Sequence, residues 1–93
     1  MFRFKKSVPV SYDKQGLVYF YSKLYNELPA RKKEQIRLLC REVGGEYENA
    51  LLEFVTTNVG ANAVCAKHFL SRSTLERLVR RYYDAFWDSW WME

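Results

Sequence analysis

The sequence predicts an all-α domain of about five helices behind an extended N-terminal arm. Three observations carry this. Apolar residues recur at helical spacing through most of the chain. No pair of segments carries a β-hairpin turn signal between them. Only four Gly and two Pro interrupt 93 residues, so few breakers stand inside the periodic stretches. With 48% hydrophobic and 17% aromatic content, a chain of this length forms one domain, residues 1–93, with enough apolar surface for a modest core.

The arm covers residues 1–13. Phe2 and Phe4 alternate with Arg3 and Lys5, and Pro9 blocks helix and holds Val8 extended. Ser11 or Asp13 caps a first helix over Lys14–Glu27. Leu17, Phe20, Tyr21, Leu24 and Leu28 follow the i, i+3, i+4, i+7 rule and form its inward stripe. Pro29 ends that helix and opens the second, Pro29–Val43, which buries Ile36, Leu39, Cys40 and Val43. Gly44-Gly45 is a stop signal. A third helix, Glu46–Thr57, turns Tyr47, Leu51, Phe54 and Val55 inward, with acids at its positive end. A short fourth helix covers Ala61–His68 and a turn follows at Phe69-Leu70. Ser71 caps a long final helix with Leu75, Leu78, Val79, Tyr82 and Phe86 inside. Residues 84–93 form a Trp-rich tail.

The net charge of +4 is unevenly placed. Residues 1–44 hold ten Lys/Arg against four acids, whereas residues 45–93 hold five against seven. Within the second half, Lys67 to Arg81 contains all five cations and a single acid, Glu76. Such blocks suit a polyanionic partner better than the total does. No stretch approaches the roughly 18 apolar residues of a membrane span, and no apolar run follows the basic start. The expected location is the cytoplasm, without a membrane partner. Cys40 and Cys65 make no disulfide framework and read as reduced, buried thiols. With His68, the one histidine, they offer three ligands at no zinc-finger spacing, so no metal is expected. No carboxylate pair, nucleophile–His set or Gly-rich phosphate loop stands out, and neither an enzyme nor a cofactor is expected.

The informative stretch is Val64 to Arg81, VCAKHFLSRSTLERLVRR. With Leu75 and Leu78 buried, residues 73, 76, 77 and 80 form one outer strip of the last helix, and Arg72 also points outward. An Arg there can pair with both guanine O6 and N7, and Ser73 can bond to base edges. The segment resembles the helix-turn-helix of small bacterial, phage or mobile-element transcriptional regulators. Cys65 matches the small residue where the two helices cross. Val64, Leu70, Leu75 and Leu78 match its apolar positions, and Ser71 its recognition-helix cap. The resemblance implies sequence-specific binding to double-stranded DNA. It carries Arg72, Ser73 and Arg77 over as base contacts. Lys67, Thr74, Arg80 and Arg81 then fall to the sugar-phosphate backbone. The family's turn usually holds Gly at positive φ, and this chain has Phe69. A bulky residue disfavours that conformation, so Phe69 is expected to pack inward or the turn to take another shape. A weaker likeness, Glu27-Leu28-Pro29-Ala30-Arg31, resembles the first helix of the C-terminal domain of sigma factors.

Other basic groups have two readings each. Lys33, Arg37 and Arg41 lie four apart, as a solvated face or as a second phosphate contact. Arg3, Lys5 and Lys6 belong either to a loose or ordered arm or to a minor-groove contact. The tail divides likewise. Phe86 and Trp90 pack back on the first helix, or Trp87, Trp90 and Trp91 join two copies through the C-terminal helix, a homodimer matching a palindromic site. The rival to DNA binding is a protein-interaction adaptor or inhibitor working through that Trp-rich helix. A third reading stacks Tyr and Trp on single strands.

Overall fold

A computed structural model describes residues 11–90, with side chains as far as Asp88. The N-terminal ten residues of the expected arm, the side chain of Trp90, and Trp91 lie outside the described residues. The elements are α1 (Tyr12–Lys23), a 3-10 turn (Tyr25–Glu27), α2 (Ala30–Gly44), a second 3-10 turn (Gly45–Tyr47), α3 (Glu48–Thr56), α4 (Ala61–His68) and α5 (Arg72–Trp90). No strand occurs among the described residues.

Several boundaries differ from expectation, among them the end of the first helix, which stops at Lys23, short of Glu27, and gives way to the 3-10 turn. The arm stops at Ser11, whose hydroxyl accepts from Lys14 N–H at 3.3 Å, so helix begins at Tyr12 and takes in Asp13. Gly44-Gly45 reverses the chain without a loop. Gly45 sits at φ 56, ψ −122, which suits the first central position of a II′ turn and is open only to glycine. The chain runs from α2 through the 3-10 turn directly into α3, which packs along α2. The described residues therefore form four continuous helical stretches, not five separate helices.

α5 supplies the centre of the core. Leu75, Leu78, Val79, Tyr82, Tyr83 and Phe86 are all buried. α2 meets them with Ile36, Leu39 and Cys40, and α3 adds Ala50, Leu51 and Val55. Phe86 stands edge-on to Tyr21 of α1, with ring centroids 6.1 Å apart. Burial pushes the Cys40 thiol up to about 12, with Glu48 adding to the rise. Cys65 is only partly buried, contrary to its reading as an inner thiol.

α1 turns a different face inward from the one its hydrophobicity suggests. Gln15, Val18 and Ser22 are buried, and Leu17, Phe20 and Leu24 are exposed by 40, 56 and 48%. The reason lies on α5. Tyr82 is fully buried, and a phenol without a partner there would cost about 1–3 kcal/mol. Ser22 Oγ provides that partner at 2.8 Å. A second polar tie fixes the same end of α1. Lys23 Nζ donates to the carbonyls of Phe54, at 3.0 Å, and Thr57, where α3 leaves acceptors unsatisfied. The ammonium also lies 5.0 Å from the centre of the Tyr19 ring.

Tyr82→Phe leaves the Ser22 hydroxyl buried without its partner. Urea unfolding should show a loss of about 1–3 kcal/mol, with m unchanged. A loss below about 0.5 kcal/mol would mean that the pair does not select the α1 face.

Candidate nucleic-acid interface

α4 and α5 are joined by three residues, Phe69 to Ser71. Val64, Leu70 and Leu75, all buried, fix one helix against the other. Ser71 caps α5 as expected. Its Oγ accepts from Thr74 N–H at 3.1 Å and donates to Thr74 Oγ1 at 2.9 Å. Leu75 N–H bonds to the Ser71 carbonyl at 3.0 Å, closing the first turn.

α4 ends in a left-handed cap. The Leu70 N–H reaches back to the Cys65 carbonyl at 3.2 Å, the long bond of a Schellman-type end. The residue in the left-handed position is Phe69, at φ 58, ψ 51. It is the one non-glycine with positive φ among the described residues. Its side chain points to solvent and is 89% exposed. Both expectations for Phe69 are thus corrected: the turn has the ordinary positive-φ shape, and the ring does not pack inward. A side chain at such a position costs about 1–2 kcal/mol relative to glycine.

The far side of α4 is tied to α3. Glu53 Oε1 lies 2.6 Å from His68 Nε2, and Oε2 lies 3.2 Å from Lys67 Nζ. The hydrogen bond from His68, helped by Lys67, holds the Glu53 carboxyl below its usual range. His68 is thus structural, and Lys67, assigned to phosphate, already has an internal partner while staying largely exposed. Sequence spacing gave no warning of Glu53, which stands 14 and 15 residues upstream on another helix.

The outer face of α5 carries the remaining residues. Arg72, Ser73 and Arg77 are exposed, as is Arg81, and Thr74 and Arg80 are half-buried. Arg72 is held at both ends of its fork: Nη1 donates to Asn62 Oδ1 at 2.9 Å and Nη2 to Glu76 Oε2 at 3.2 Å. Asn62 sits in the first turn of α4, so this bond bridges the two helices at the surface. Ser73 Oγ lies 3.2 Å from Ser71 Oγ. Arg77, Arg80 and Arg81 have no side-chain hydrogen bond or ion pair with any described residue. Glu76, the single acid in this stretch, is taken up by Arg72.

The other two groups are partly accounted for within the fold. On α2, Arg37 and Arg41 lie 3.8 Å from Glu34 and Glu48. Lys33 stands over the Tyr25 ring at 5.9 Å. Trp87 is half-buried against the core and Lys14 lies 5.1 Å over its ring, so the end of α5 is engaged with α1. Among the described residues no cluster of three metal-ligating side chains occurs, and no helix is long and apolar enough to cross a membrane. The chain matches no protein-family model, no curated protein and no solved structure.

A lowered carboxyl contributes stability above its unfolded value, near 4.5, and that contribution is lost as pH falls through the folded value. Glu53→Gln should therefore flatten the fall in urea midpoint between pH 6 and pH 3, at pH values set by the experimenter. An unaltered acid limb in the variant would show that the fork does not hold α4.

Proposed function

We propose that this chain binds double-stranded DNA in a sequence-specific manner, as a small transcriptional regulator. In this reading α4 and α5 act as a helix-turn-helix unit, with α5 as the recognition helix. The observation that carries it is the trio Arg77, Arg80 and Arg81. These three cations lie on a helix whose opposite face is locked in the core, and none is neutralised by a described residue. A fold gains little from like charges gathered this way, whereas phosphate neutralisation and counterion release reward them.

The rest of the face suits the same task. The span from Arg72 to Arg81 is about 14 Å long, comparable with a major groove about 12 Å wide. Arg72 is pre-positioned by Asn62 and Glu76, which lowers the entropy lost on contact. Arg72 and Arg77 present guanidinium forks to guanine edges, and Ser73 supplies a short hydroxyl beside them. Arg80 and Arg81 hold the backbone, with Thr74 near the helix start. Lys67 joins them by exchanging Glu53 for phosphate.

The test is fluorescence anisotropy with a random 25-base-pair duplex over a salt series. Log affinity should fall steeply with log salt. No binding at low salt overturns the reading. On a duplex then selected for tight binding, Arg77→Ala should cost about 1–3 kcal/mol and relax base preference. Arg81→Ala should weaken selected and random duplexes alike and lower the salt slope by about one unit. Equal losses on both duplexes for Arg77→Ala would remove it from the base-reading set.

A further inference from the structure

The turn between α4 and α5 holds a side chain that the fold does not need. Phe69 occupies a left-handed backbone position, which glycine takes without strain. The residue is 89% exposed, while the other exposed large apolar residues among those described reach at most 58%. Strain and exposure both count against a phenylalanine here, and its ring adds nothing to the core. Its value therefore lies in a contact outside the chain. The surroundings define that partner. Lys67 and Arg72 flank Phe69 in sequence, paired with Glu53 and Glu76, the hydroxyls of Ser71, Ser73 and Thr74 follow, and Arg77, Arg80 and Arg81 lie further along α5 with no described acidic partner. This is an apolar point beside a hydroxyl-rich helix start whose cationic excess comes from those three arginines, which suits an anionic partner bearing an apolar group at its edge. On duplex DNA the apolar group facing the major groove is the C5 methyl of thymine.

We propose that Phe69 is a specificity residue whose ring meets thymine methyl groups at the edge of the major groove, next to the bases reached by Arg72. The inference rests on the DNA-binding reading above. Phe69 and Arg72 are three steps apart along the chain, a span of at most about 11 Å, so both side chains reach the same few base pairs.

The test compares the full chain with Phe69→Gly and Phe69→Leu on the selected duplex. A second duplex carries uracil in place of each thymine and lacks only the methyl groups. Glycine relieves the left-handed position, so Phe69→Gly should unfold at the same or a higher urea concentration. The wild-type chain should bind the uracil duplex about fourfold more weakly for each methyl buried. Phe69→Gly should bind both duplexes equally, at the wild-type level for uracil, and Phe69→Leu should keep part of the preference. Tight, salt-dependent binding with no thymine preference in the wild type overturns this inference and leaves the DNA reading standing. So does a preference that persists in Phe69→Gly, which would assign the methyl contact to another residue. Absence of duplex binding by the wild type overturns both.

Discussion

The division of α5 into two faces is the constraint on which the rest of the structure depends. Six consecutive inward positions, from Leu75 to Phe86, meet all the other helices. Because every partner is gathered on one side, Ser73, Glu76, Arg77, Arg81, Asp84 and Asp88 on the other are exposed. The arginines at 77 and 81 fall one turn apart on that free side, and their orientation is set by the core, not by any local bond. Displacing α5 by one residue would rotate it by about 100° and bury a guanidinium in place of a leucine. Core packing and the exposed basic face are therefore one property of this helix.

The polar ties serve to hold smaller elements against this axis. The apolar residues of α4 are small, and Val64 alone is fully buried. An eight-residue helix in isolation is far too short to be stable in water. Glu53 supplies what hydrophobic burial does not, gripping the last turn of α4 through His68 and Lys67. At its other end the bond from Arg72 to Asn62 joins α4 to α5. Lys23 does the comparable work for the end of α3. The molecule thus fixes its short helices by charged groups placed at helix termini, where backbone carbonyls or side chains lack partners.

How much of this was legible in the sequence varied with how local the cause was. The stripe of α5, the extent of α4 and the Ser71 cap followed from spacing and residue type within one segment, and they stand as read. α1 was misread because its sequence contains two stripes of helical period. Of the stripe that hydrophobicity favours, Tyr21 and Leu28 pack on the core but Leu17, Phe20 and Leu24 stay exposed, and the fully buried positions are Gln15, Val18 and Ser22. The deciding group is the Tyr82 hydroxyl, sixty residues downstream, and no local pattern reports it. Phe69 failed differently. The rule that bulky residues avoid positive φ is a statement of cost, and the cap geometry at the end of α4 outweighs that cost. The basic face of α5 was visible as a charge block, but not which of its members are engaged. That Arg72 is pinned while Arg77 is free depends on Asn62 and Glu76, one of them on another helix.

The Ser22–Tyr82 bond also has a bearing on how the chain becomes folded during synthesis. α1 emerges from the ribosome before the helices it packs on, yet the side it must bury carries an amide and a hydroxyl that water solvates well. Lys23 ties its end to the carbonyls of Phe54 and Thr57 on α3, but the phenol and the Phe86 ring that complete its docking arrive only with α5. Closing so long an interval of chain is entropically slow compared with forming the neighbouring pair α2–α3. Assembly of the native helix arrangement is then a late event, completed when α5 arrives as the final layer.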